Sequence, residues 1–224
     1  MRPLTGSLNP RRMLSLTVLI ALCAVVVMVM AGGQAKAATI SVTNTNDSGP
    51  GSLRQAIIDA NGAPGTDEID FAIPGAGQHT IVLATPLPLM TNGIIIDGYT
   101  QPGSQVATVS SPASIMIDLD GNGGAGSGLE FGAGSDSSRV SGLAIHNFVQ
   151  NGVTIDNGVT GVQVDGNLIG FDASGNNSGN GASGIYALVA NSTTVGGSDY
   201  ANRNVIGNNN NSAGVIGVGV DPLS

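Results

Sequence analysis

Three glycine-led apolar segments recur at nearly constant spacing in the C-terminal half of the chain. Gly152-Val153-Thr154-Ile155 returns as Gly184-Ile185-Tyr186-Ala187 and again as Gly214-Val215-Ile216-Gly217, at intervals of 32 and 30 residues. Such a period falls in the range of about 20–50 residues that marks stacked repeat architectures. A second set interleaves with the first. Asn167-Leu168-Ile169-Gly170 recurs as Asn204-Val205-Ile206-Gly207, and Gly142-Leu143-Ala144-Ile145-His146-Asn147 is echoed by Gly161-Val162-Gln163-Val164-Asp165-Gly166-Asn167. Units this short cannot bury their own apolar side chains, so they must stack on one another to make a core. The punctuation consists of Gly, Asn, Ser and Asp, singly and in clusters, and no two-residue hairpin signal repeats at regular spacing. The expectation is an all-β chain folded as a right-handed parallel β-helix, a solenoid, in which like residues lie over like. Asn167 and Asn204 would then form a hydrogen-bonded ladder at a bend.

The N-terminal half adds one departure. Ile40 and Val42 alternate with polar residues as a first strand. From Ser52 to Gly62 the period then changes: Leu53, Ala56, Ile57 and Ala60 share one helical face, Ser52 and Gln55 have capping-box spacing, and Asn61-Gly62 predicts a left-handed stop. Strand signals resume with Ile69, Phe71 and Ile73, with Thr80 to Leu83, and with the runs closed by Asp97-Gly98 and Asp120-Gly121. The organisation expected is a leader over residues 1–37, a capping region with the first coils over 38–110, and repeat coils over 111–224. The last coil looks incomplete, which implies a truncated frame, an end completed by another chain, or end-to-end association through the uncapped coil.

Arg2, Arg11 and Arg12 precede an apolar run from Met13 to Ala31 and a small-residue site at Ala35-Lys36-Ala37, the layout of a secretory signal peptide. The run is also long enough to span a bilayer, so an uncleaved anchor is the rival reading; both place the body of the chain outside the cytoplasm. Nothing downstream calls for a cofactor folded before export, which favours the general secretory route over twin-arginine export. The single cysteine, Cys23, lies in the apolar run behind Leu22, a poor lipoprotein site, so disulfides are excluded. Beyond residue 37 three arginines, Arg54, Arg139 and Arg203, face fifteen acids, a formal charge of 3 minus 15, or −12. Without lysine, this balance excludes nucleic acid and anionic lipid as partners.

The segment from Asn46-Asp47-Ser48-Gly49-Pro50-Gly51 through Ser52-Leu53-Arg54-Gln55-Ala56-Ile57, followed by Asp97-Gly98-Tyr99-Thr100-Gln101-Pro102-Gly103, resembles the N-terminal region of large secreted bacterial proteins with pectate-lyase-like right-handed β-helices. In part of that group the helix opens with Cys-Ser-Leu-Arg-Glu-Ala. Here Gly51 stands in place of the cysteine and Gln55 in place of the glutamate. Gly166 to Asp172 and Arg203 to Asn208 are similar to the coil repeats of these proteins, so the resemblance covers most of residues 40–216. It implies that the Ser-Leu-Arg helix caps the first coil. It also implies a fold that hosts calcium-assisted lyases and glycoside hydrolases alongside proteins of other roles.

The acids are weighed against that chemistry. Asp118 and Asp120 lie two apart, so on a strand they share a face and could hold an ion or divide acid and base work. The preferred reading is a turn at Asp120-Gly121 with Asp118 a solvated strand residue. Asp97, Asp165 and Asp172 sit at strand ends, where Asp stabilises turns. His146 is read as a coil-surface residue equivalent to Asp165, and His79 follows a Gly-rich turn; two separated histidines make no metal signature. Ser52 is a helix cap, and the arginines are structural. No catalytic or cofactor-binding residue is assigned, no cofactor is expected, and metal binding is left undecided. The function expected is an extracellular or cell-surface β-helix with a structural, adhesive or glycan- or partner-binding role, the partner being a polysaccharide or surface protein. The alternative is a polysaccharide lyase or glycoside hydrolase.

Overall fold

The computed structural model describes residues 37–210 and the strand 215–218. The leader, apart from Ala37, and the chain end at 219–224 that the sequence reads as incomplete lie outside these residues.

Fifteen strands and one α-helix are described. The helix α1 (Leu53–Gly62) follows β1 (Thr39–Val42). Then come β2 (Asp67–Phe71), β3 (His79–Val82), β4 (Ile94–Asp97), β5 (Ile117–Asp120) and β6 (Leu129–Phe131). The remainder are β7 (Arg139–Ser141), β8 (Leu143–His146), β9 (Val153–Ile155), β10 (Gln163–Asp165), β11 (Leu168–Ile169), β12 (Ile185–Ala190), β13 (Thr194–Val195), β14 (Val205–Ile206) and β15 (Val215–Val218).

All the strand pairs are parallel. The first sheet has the order β1-β2-β4-β7-β10-β13, the second β14-β11-β8-β5-β3, and the third β15-β12-β9-β6. From β4 onward the chain enters the first, second and third sheets in turn, four times over. Each strand therefore pairs with its counterparts from the preceding and following rounds, and like residues meet. Ile69, Ile96, Val140 and Val164 stack in register in the first sheet. Ile81, Leu119, Ile145 and Ile169 do so in the second, and Leu129, Val153 and Ile185 in the third. All of these side chains are buried, and each contributes on the order of 1.5–3 kcal/mol by leaving water. The sharp turn from the first to the second sheet needs glycine: Gly142 and Gly166 occupy it with φ of 74° and 69°, and a Cβ on Gly142 would come 2.6 Å from the Tyr99 nitrogen.

The repeats at Gly152, Gly184 and Gly214 are borne out, because Val153, Ile185 and Val215 are register partners. So is the Asn167/Asn204 pair: Leu168 pairs with Val205, and Asn167 Nδ2 donates to Asn204 Oδ1 at 3.2 Å. A second asparagine step, Asn180 Nδ2 to Asn209 Oδ1 at 2.8 Å, accompanies it. The match of Gly142–Asn147 to Gly161–Asn167 is corrected. Ser141 lies beside Asp165 and Ile145 beside Ile169, so the offset is 24 residues and Gly142 corresponds to Gly166.

Helix α1 forms where expected, with Leu53, Ala56, Ile57 and Ala60 buried against the core and Ser52 Oγ accepting from the Gln55 amide. Two details differ. Gln55 reaches Asp59 rather than back to Ser52, so the capping box is half made. The left-handed stop at Asn61-Gly62 does not occur: the helix runs through Gly62 and ends at Ala63 in extended conformation. Asn61 is held instead by the next round of chain, donating to Leu89 O and accepting from the Thr91 amide.

Candidate functional site

Inward residues of the second sheet are Ile117 and Leu119, so Asp118 and Asp120 share its outer face, as their spacing predicts. Register then sets Ala144 beside Asp118 and His146 beside Asp120. Because Ala144 leaves room, the imidazole crosses diagonally, and His146 Nε2 stands 2.9 Å from Asp118 Oδ1. Its Nδ1 is 2.8 Å from Ser178 Oγ. Ser178 belongs to an excursion from Phe171 that folds over this face: Phe171 and Asn177 bridge antiparallel, and the Ala173 amide donates to Asp118 Oδ1. Thr80 Oγ1 donates to Asp118 Oδ2 from the neighbouring strand. Asp118 is therefore only 7% exposed and His146 5%.

This corrects two readings. Asp118 is not a solvated strand residue, and His146 is neither at the coil surface nor equivalent to Asp165; it lies beside the Gly170 position of the next round. The turn reading of Asp120 holds, since its Oδ1 accepts from the Asn122 amide and from Asn147 Nδ2.

Burial alone would lower the His146 pKa. The hydrogen bond to Asp118 and the charges of Asp118, Asp120 and Asp172 outweigh it and hold the pKa above the ordinary value. Asp172 shows the complementary shift. Burial pushes it up, but Asn176, the Ser174 amide and the nearby imidazole bring it below the usual carboxylate range.

A serine, an imidazole and a carboxylate in a row resemble a nucleophilic triad. The raised pKa widens the pH range in which the imidazole is charged and donates to Ser178 rather than accepting its proton. The Ser178 amide donates to Gly170 O, the Asn180 amide to Asn209 Oδ1, and Gly179 between them lies against the Asn208 carbonyl, which leaves little room for an oxyanion. The arrangement pins the Asp172–Ser178 excursion to the sheet. Sequence reasoning missed Ser178 and Thr80; the 24-residue offset would have moved His146 off the Asp165 position, but no repeat places a residue in an irregular excursion.

The outer face of the first sheet carries a second cluster. Asp70, Asp97, Ser141 and Asp165 follow one another in register. Asp97 caps a short 3-10 turn by accepting from the Tyr99 amide, the turn role expected of it. Asp172 likewise accepts from the Ser174 and Asn176 amides. Asp165 instead binds a cation, with Arg139 Nε and Nη2 donating to its two oxygens at 2.9 and 2.8 Å. Tyr99 Oη donates to Gly166 O at 2.6 Å. Burial, then the charges of Asp165 and Asp97, push its pKa up to about 12 against the opposing pull of Arg139. Asp70 is raised by burial and by the Asp97 charge.

The other arginines divide. Arg54 ties α1 to Asp47 and to the carbonyls of Thr85 and Pro86, a structural clasp as expected. Arg203 is exposed, stacks on Tyr200 with its guanidinium carbon 4.0 Å from the ring centre, and makes no ion pair among the described residues. It borders a groove of about 390 Å³ between the Ala107–Ala113 segment and the outer face at Gly166, Asn167, Leu168 and Val205. The segment is closed at its base by the Gln105–Ser114 bridge, and its tip carries Val109, 77% exposed. Sequence reading did not single out this groove, since it joins residues 53 to 98 positions apart.

Among the described residues, no group of three His, Cys, Asp or Glu is placed to hold a metal ion, and no helix is long and apolar enough to cross a membrane. No protein-family model matches the chain, and no curated protein matches it.

Proposed function

We propose that this is an extracellular or cell-surface protein whose three sheets close as a right-handed parallel β-helix, and whose work is contact with a glycan or surface partner rather than catalysis. The rotation of the chain through three parallel sheets supports the closed β-helix, as do the stacked aliphatic rows and the resemblance to pectate-lyase-like proteins. Export rests on the arginine-led apolar leader and its small-residue end.

One observation carries the functional reading: the acids that a catalytic pair would require are bonded into the fold. Asp118 accepts from His146, Thr80 and Ala173, and Asp120 from Asn122 and Asn147. Both oxygens of Asp118 and one of Asp120 are thereby occupied within the fold. The groove beside Arg203 has the opposite character. Its lining carries the hydroxyls of Ser110 and Ser111, beside Thr108 whose Oγ1 accepts from their amides, together with aliphatic Leu168 and Val205 and the Arg203 guanidinium. That mixture suits a sugar chain, which presents hydroxyl edges, apolar ring faces and, in acidic glycans, a carboxylate for arginine.

Binding to immobilised neutral and acidic polysaccharides tests this. Arg203→Ala and Val109→Asp are expected to lower affinity for a bound glycan roughly tenfold each, as loss of about 1.4 kcal/mol would, without changing the melting temperature. Binding indifferent to both substitutions would remove the groove from the account.

A further inference from the structure

Asp67 faces the core rather than solvent. It occupies the inward row of β2 with Ile69 and Phe71, and its exposure is 0%. A carboxylate there is costly unless it is paired and hydrogen-bonded. Only one bond is made: the Ala38 nitrogen donates to Asp67 Oδ1 at 2.7 Å, while Oδ2 has no hydrogen-bond partner among the described residues. The donor is the residue that follows Ala35-Lys36-Ala37. Ala38 is also where docking of the chain onto the sheet begins, because its carbonyl accepts from the Glu68 amide and β1 starts at the next residue.

Resting on the export reading above, we propose that the leader is cut between Ala37 and Ala38 and that Asp67 is the built receptor for the new chain terminus. A signal peptidase would add water across that amide. The hydroxyl goes to the Ala37 acyl carbon, the C–N bond breaks, and the freed Ala38 amine takes up a proton. At neutral pH the α-amino group is an ammonium. The atom that gave the buried carboxylate one neutral N–H then gives it a full positive charge and three N–H donors, enough for both oxygens. Maturation thereby converts an under-paired buried acid at the edge of the core into an ion pair and fastens β1 to the first sheet. Before the cut, the same acid weakens the fold at the point where the leader is attached, which suits a chain that must stay unfolded to be exported.

The chain beyond residue 36 has no lysine, so a product beginning at Ala38 carries a single amine and an amine-acetylating reagent reads that group alone. The full chain is expressed in a bacterial host, recovered outside the cytoplasm, and its N-terminus read by mass spectrometry. Labelling is then timed in buffer and in urea. The expected results are a terminus at Ala38 and acetylation at least about tenfold slower in the folded protein, with protection lost in Asp67→Asn. Should that variant fail to fold, one glycine inserted between Ala37 and Ala38 moves the amine away from Asp67. It is expected to restore fast labelling and to lower the melting temperature. A terminus at Ala38 that labels equally fast in buffer and in urea overturns the inference and leaves export standing; so does a terminus elsewhere or an uncut leader, whereas a chain retained in the cytoplasm overturns both.

Discussion

The outer faces of the first and second sheets are built on the same parallel stacking but hold their charge differently. On the first, Arg139 forks onto Asp165 and keeps its charge at every physiological pH; its side chain is 38% exposed. On the second, the cation opposite Asp118 is an imidazole, with its side chain 7% exposed, covered by the Asp172–Ser178 excursion. The first face is thus a permanent, partly screened pair, and the second a buried pair whose charge depends on pH. Stacking rounds of chain fixes which positions meet; the residue type and the cover above it decide what the meeting does.

The largest expected effect is on the covered face. Asp118→Ala removes the acceptor for His146, Thr80 and the Ala173 amide together and is expected to cost about 3 kcal/mol in urea unfolding, the scale for breaking one side of a buried pair. Arg139→Ala leaves Asp165, itself buried, without its fork, but the cation lost is 38% exposed, and a smaller cost of about 1–2 kcal/mol is expected, shrinking as salt is added. Equal losses at the two sites would erase the distinction between the faces. Tyr99→Phe, which removes only the hydrogen bond to Gly166 O, is expected to cost about 1 kcal/mol.

The subtlest prediction concerns pH. The folded-state pKa of His146 lies above its ordinary value of 6.5. Below that ordinary value the imidazole is charged in both folded and unfolded chains, and the pair contributes in full. As pH rises through the folded value the proton leaves and the contribution is lost. Stability is therefore expected to decline on the alkaline side of 6.5, and His146→Gln to flatten the decline. Arg139→Ala should leave its shape unchanged.

The stacked aliphatic rows were legible because Ile and Val alternate and recur, and the helix because its apolar residues change period between Ser52 and Ala60. What the sequence hid was lateral register. Two offsets for Gly142 were available by eye, and the correct one, to Gly166, differs from the other by five residues. That difference moved His146 from the open surface to a covered ion pair. Arg139 and Asp165 were each visible as structural residues, but their pairing depends on the same register. The groove beside Arg203 was beyond any periodic reading, since the Ala107–Ala113 segment belongs to no repeat.

The most direct test of the claim that these acids serve the fold is to incubate the exported protein with neutral and acidic polysaccharides, with and without calcium, while following unsaturated products and new reducing ends. The account predicts retention of a glycan with no chain cleavage under any condition. Cleavage that disappears in an Asp118→Asn variant with an unchanged melting profile would contradict it and establish a carbohydrate-active enzyme.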